Sequence, residues 1–133
     1  MRAAVGEALP TFRLTLTLQR LVMEAAANRD FAPLHIDSRA ARESGAPDVS
    51  MNTTFIEAVL EATVRSWAGP SARIRVLEFA MKAFNCAGDV IEGGGEVKRR
   101  RAVGDGEEAE LDIWIDGPRG RTVTGSAVVF VPG

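Results

Sequence analysis

The sequence predicts an α+β fold in which an antiparallel sheet wraps one long helix. Three observations predict it. Stretches with period-two alternation flank a single long run with period 3.6. Gly- and Asp-bearing turn signals separate the later alternating stretches, which suits short antiparallel connections. And a rod that is apolar on one side needs a sheet to lie on, which is a stable layered solution.

Taken in order, Val5 to Pro10 reads as an irregular entry. Thr11 to Leu18 alternates, with Phe12, Leu14, Leu16 and Leu18 on one face, and predicts a half-buried strand. Gln19 to Asn28 is rich in Leu, Met, Glu and Ala and predicts a helix whose inner stripe is Leu21, Val22, Ala25 and Ala26. Pro33 makes the next stretch a loop, because it lacks an N–H and pushes Ala32 toward extended backbone. Asp37 or Ser38 can cap a brief helical turn through Glu43, which Gly45 and Pro47 end.

The clearest helix follows Asn52. Phe55, Ile56, Val59, Leu60, Val64 and Trp67 keep the helical period, and Gly69-Pro70 terminates it. Some seventeen residues at 1.5 Å each make a rod of about 25 Å. Four strands are predicted after it as a meander. Arg73–Phe84 carries Leu77, Phe79, Met81 and Ala83 on one face. Val90–Val103, Glu108–Asp116 and Thr122–Val131 complete the set. Gly93-Gly94-Gly95 marks a bulge or a close backbone approach in the second of these. Trp67, Trp114 and the six phenylalanines are assigned to core or interface.

The bulk numbers narrow the function. The 133 residues fit one domain, residues 1–133. A net charge of −2 and a pI near 5.5 give no push toward nucleic acid or an anionic membrane. No apolar run approaches a spanning helix, and Met1 to Glu7 is too short and polar before Pro10 to be a secretory signal, so a cytoplasmic setting is expected. One Cys and one His make a zinc site unexpected, and the three glycines lack the strand-to-helix setting of a dinucleotide loop. No cofactor or metal is expected. Cys86 is expected to be an inert thiol. Lys98-Arg99-Arg100-Arg101 has two readings, a clamp for phosphates or a solvated strand edge; alternation between faces favours the edge.

The candidate chemistry lies in Asn28-Arg29-Asp30-Phe31-Ala32-Pro33-Leu34-His35-Ile36-Asp37, which holds the only histidine. On a continuous helix Asp30 and His35 would diverge by about 140°. A loop that turns at Pro33 can bring both to one small volume, where a carboxylate and an imidazole around one water make an acid/base pair at neutral pH. The plainer alternative is a hydrogen-bonded surface histidine with Asp30 as a cap.

This stretch resembles the hydratase motif of MaoC-like enoyl-CoA hydratases, in which Asp and His keep this spacing around a proline. Gly88-Asp89-Val90-Ile91 with Gly95-Glu96-Val97 resembles the family's "Gly-Asp…Gly-Glu-Val" strand, and Val5-Gly6-Glu7-Ala8-Leu9-Pro10 resembles its opening. The resemblance spans nearly the whole chain. It implies a hot-dog fold, a trans-2-enoyl-CoA thioester substrate and Asp30 and His35 as catalytic residues. Arg29-Asp30-Phe31 with Trp67-Ala68-Gly69-Pro70-Ser71-Ala72 is similar to the small MaoC subunit of actinobacterial steroid side-chain hydratases, which implies a homodimer or a heteromer with a second MaoC-like subunit.

Two positions depart from the motif. Arg29 stands where Gly is common, and Ala32 where Asn is common. Arg29 could pair with Asp30 and lower its basicity, and Ala32 cannot make an asparagine's side-chain bonds. Hydration also needs donors for an enolate-like oxygen. Main-chain N–H groups around Ser50, Met51 and Asn52, at the start of the long helix, are candidates; ordinary capping is the other reading. A non-catalytic hot-dog subunit and an acyl-CoA thioesterase are the rival functions.

Overall fold

The structure, a computed structural model, describes residues 4–133; Met1 to Ala3, part of the stretch read against a secretory signal, lie outside the described residues. In chain order come β1 (Phe12–Thr15), α1 (Leu18–Ala27), a 3-10 turn (Pro33–His35), α2 (Ser38–Glu43), α3 (Thr53–Ala68), β2 (Arg73–Met81), β3 (Val90–Val103), β4 (Gly106–Gly117) and β5 (Gly120–Pro132). The five strands form one sheet in the order β1-β3-β4-β5-β2, and every pair is antiparallel.

The helix α3 lies against the sheet's inner face. Phe55, Ile56, Val59, Leu60, Thr63, Val64 and Ala68 are its buried residues. Ile91, Val97, Leu111, Ile113, Ile115, Val123 and Val129 meet them from the strands, so the alternation supplies one half of the core and the helical stripe the other. Trp67 is half-buried against that core, and its indole Nε1–H donates to Glu7 at 2.6 Å. Trp114 lies on the other face, over Gly94 and under the Arg121 guanidinium, 4.2 Å from the ring centre.

Three expectations are corrected. The last four strands are not one meander. β3, β4 and β5 are, but β2 pairs with β5 at the far edge, from Arg73 opposite Phe130 to Met81 opposite Val123. It stops at Met81, which is exposed, rather than at Phe84. The first strand is also short. Thr17 Oγ1 accepts the Arg20 N–H at 3.1 Å, so the chain turns helical there and Leu18, expected inside, is 48 % exposed. At the glycines of β3 the second expected reading, close approach, holds, and the register shift falls instead between Val97 and Arg99. Gly93 and Gly95 face inward as points of close approach, to Thr63 and Leu9.

Beyond that irregularity β3 runs past β1, and Arg99, Arg100 and Arg101 are exposed. They pair across to Glu110, Glu107 and Glu108 at 3.7, 3.2 and 3.0 Å. This is the solvated-edge arrangement. Cys86 is buried, and burial pushes its thiol pKa up. Among the described residues no helix is long and apolar enough to cross a membrane.

Candidate active site

The end of α1 builds the first half of the site. Asn28 caps the helix and its N–H bonds back to Glu24 at 3.1 Å. Arg29 then takes φ = 55°, the left-handed region that L side chains enter only at a cost. That reverses the chain, and the Asp30 N–H returns to the Ala25 carbonyl at 2.9 Å. The common glycine at this motif position has its physical reason here. The pairing open to Arg29 and Asp30 is not made: the ionic partner near Asp30 is His35.

Pro33 to His35 make a single turn, so the backbone folds back instead of continuing a helix. As a result Asp30 Oδ2 and His35 Nε2 lie 3.9 Å apart. That is too long for a direct hydrogen bond, but one solvent molecule fits about 2.8 Å from both. The Asp30 side chain is 36 % exposed and that of His35 15 %, so the pair opens on one side.

Each partner is held from behind. The Ala32 N–H donates to Asp30 Oδ1 at 3.3 Å, and Asn52 Nδ2 donates to Oδ2 at 3.0 Å. Asn52 Oδ1 meanwhile accepts the Phe55 N–H at 2.9 Å and caps α3. Where the motif's asparagine is absent at Ala32, the carboxylate is held instead by Asn52, 22 residues after Asp30. His35 Nδ1 lies 2.9 Å from the Ser50 carbonyl. A carbonyl only accepts, so Nδ1 carries a proton and Nε2 is the atom turned to Asp30. Asp48 anchors the segment bearing Ser50, accepting from Ser38 Oγ at 2.6 Å and the Val49 N–H at 2.7 Å. These bonds hold its carboxyl below the usual range.

Of the three candidate main-chain donors, Met51 is corrected. Its N–H is committed to the Asn85 carbonyl at 2.9 Å. Asn52 spends its side chain on Asp30 and the cap. Ser50 faces Cys86 across an isolated bridge, and no acceptor for its N–H is present among the described residues. In extended backbone a residue's N–H and C=O leave on the same side, so the Ser50 N–H points where its carbonyl does, toward His35. Sequence reasoning placed Asn52 only as a donor to substrate or a cap and missed its bond to Asp30. Asn52→Ala removes both bonds: about 1 kcal/mol of stability is expected to go with the cap. Any proton transfer by the Asp30–His35 pair should fall more steeply than stability, as urea titration and rate measured together would show.

No family model matches the sequence. The chain is 33% identical over 102 residues, 77% of each chain, to the 3-oxo-4,17-pregnadiene-20-carboxyl-CoA hydratase beta subunit of Mycobacterium tuberculosis. Among solved structures it is similar to a chain of the ChsH1-ChsH2 complex of Mycobacterium tuberculosis. There the TM-score is 0.88, identity is 28%, and coverage is 98% of this chain and 99% of that one. The (R)-hydratase of A. caviae involved in PHA biosynthesis shares the fold, with a TM-score of 0.86 at 22% identity over 97% of both chains. With a five-stranded antiparallel sheet around one helix, and a relative at that identity over three quarters of its length, the chain belongs to the MaoC-like hydratase family and has its hot-dog fold.

Proposed function

We infer that this chain is an enoyl-CoA hydratase that adds water across a trans-2-enoyl thioester, working beside a second MaoC-like subunit. The observation that carries the reading is the convergence of Asp30 Oδ2 and His35 Nε2 across 3.9 Å. The likeness to a subunit of a carboxyl-CoA hydratase supports a steroid side chain, or another acyl chain of lipid metabolism, as the acyl group. The ChsH1-ChsH2 neighbour supports a heteromer. The reading takes residues 1–133 as one domain in the cytoplasm.

In this mechanism Asp30 accepts a proton from the water held between the two side chains as its oxygen bonds to Cβ. The π electrons move onto the thioester oxygen, where the Ser50 N–H donates. His35, which in this scheme starts as the imidazolium with protons on both Nδ1 and Nε2, delivers the Nε2 proton to Cα, the thioester carbonyl re-forms, and the proton on Asp30 passes to Nε2 to reset the pair. One water is consumed, one C–O and one C–H bond form, and the thioester stays intact.

That last point makes the test. The purified chain, alone and co-expressed with its partner subunit, is given a trans-2-enoyl-CoA. The expected result is loss of the conjugated-thioester absorbance with no thiol released to a thiol-reactive dye. Thiol released in step with absorbance loss would make it a thioesterase, and no turnover in any assembled form would make it a non-catalytic subunit.

A further inference from the structure

The turn that carries His35 buries none of its residues, Pro33 to His35. Apolar packing therefore does not fix the turn, and polar bonds must. It is stiff in itself. The Ile36 and Asp37 N–H groups both return to the Pro33 carbonyl, at 3.1 and 2.9 Å, and α2 begins directly afterwards at Ser38. His35 and Ser38 thus move as one piece.

The segment facing that piece is fixed from its other side. Val49 is fully buried, its carbonyl accepts the Ala87 N–H at 2.9 Å, and the Met51 N–H goes to the Asn85 carbonyl at 2.9 Å. Two rungs join the piece to the segment. One runs from His35 Nδ1 to the Ser50 carbonyl at 2.9 Å. In the other, the Ser38 hydroxyl donates to Asp48 Oδ1 at 2.6 Å. Ser38 lies three positions after His35 and Asp48 two before Ser50, so the rungs close one small ring. The Val49 N–H donates to the same Asp48 oxygen at 2.7 Å and aims the carboxylate. Arg42 reaches Asp48 Oδ2 only at 3.5 Å, from a side chain 63 % exposed, and such surface pairs are worth little.

We propose that Ser38 and Asp48 are positioning residues for hydration: their bond clasps the His35 turn onto the Ser50 segment and holds the imidazole in its Nδ1–H form. The inference rests on the reading of Asp30 and His35 as the working pair. Once Nε2 has given its proton to Cα, the ring is neutral and has two forms. Only the form with its proton on Nδ1 leaves a lone pair on Nε2, where the proton from Asp30 must return. The Ser50 carbonyl selects that form only while it stays within hydrogen-bond reach. Neither Ser38 nor Asp48 touches substrate or a reacting atom in this scheme; both act through Ser50 and His35.

Ser38→Ala removes the clasp and spares the helix. Asp37 still caps α2 by accepting the Arg39 N–H, and alanine is the best helix former. His35 is the only histidine, so isotope-labelled histidine placed in this chain alone reports the ring nitrogens of the assembled enzyme without ambiguity. Measured where the ring is neutral, the ratio of the Nδ1–H to the Nε2–H form is expected to fall about 3- to 10-fold, the weight of one hydrogen bond. Turnover of a trans-2-enoyl-CoA should lose at least about twofold in kcat with KM unchanged, because no substrate contact is lost. Ser38→Thr keeps the hydroxyl and should restore both readings. Asp48→Asn keeps an acceptor and should stay near wild type, whereas Asp48→Ala should repeat Ser38→Ala and replaces it if that variant fails by circular dichroism. A folded clasp-free enzyme with the wild-type ratio overturns the proposal, and so does an altered ratio with unchanged kcat. The ring signal needs no substrate. A wild-type chain that holds the Nδ1–H form but hydrates no enoyl thioester in any assembled form removes the function the clasp would serve, and the ring signal tells that failure from the first.

Discussion

Asp30→Asn is expected to lower kcat/KM for hydration by about 10²- to 10⁴-fold, the range that a positioned general base supplies. The substitution is isosteric, so the pocket shape survives. Its bonding does not survive whole. Asp30 accepts on both oxygens, from the Ala32 N–H and from Asn52 Nδ2. An asparagine amide has one acceptor and one donor, so one of those two donors must face another donor. The stability cost is about 1 kcal/mol, one partly exposed hydrogen bond. The rate cost is far larger, because an amide cannot take the proton of water at neutral pH. The measurement is the loss of enoyl-thioester absorbance by the assembled enzyme, with circular dichroism and thermal melting as controls. A folded variant within about threefold of wild type would remove Asp30 from proton transfer and leave His35 as the base.

The parts of the molecule legible from the sequence are the ones governed by local periodicity. The α3 stripe from Phe55 to Val64 is buried as its spacing demands, and the β4 residues Leu111, Ile113 and Ile115 point inward as their alternation demands. Non-local pairing was not legible. Nothing in the sequence of β2 says that it will lie beside β5 rather than β3, because an antiparallel edge strand offers the same alternation to either neighbour. A one-residue competition was also missed: Thr17 can continue a strand or cap a helix, and the cap turns Leu18 outward. In the site, the proline and the five-residue spacing were enough to bring Asp30 toward His35. The supports were not, since Asn52 and Ser50 lie 22 and 15 residues from the groups they hold and arrive there only once the 44–52 segment packs.

Gly93→Ala is expected to destabilise the fold by about 1–3 kcal/mol, the usual cost of forcing a methyl into a filled interior. A Cβ at Gly93 would stand 2.2 Å from Thr63 Oγ1, 3.4 Å from Thr63 Cβ and 3.5 Å from Val59 Cγ1. Thr63 is fully buried, and its hydroxyl already donates to the Val59 carbonyl at 2.8 Å. A threonine is short and stiff at χ1, so the strain passes to the backbone and lifts α3 from β3. The backbone at Gly93 is not in the left-handed region, so alanine brings no conformational penalty there and the effect isolates packing. Thr63→Ala removes the atom in the way. The double variant should therefore be more stable than Gly93→Ala alone, with a favourable coupling in a double-mutant cycle read by urea unfolding. The effect reaches the site because Asn52 caps the same helix and holds Asp30. Activity should thus fall with Gly93→Ala and return in part with the double variant. If Gly93→Ala matches wild type in stability, the helix does not sit on the glycine row of β3, and the support of Asp30 by the start of α3 loses its foundation.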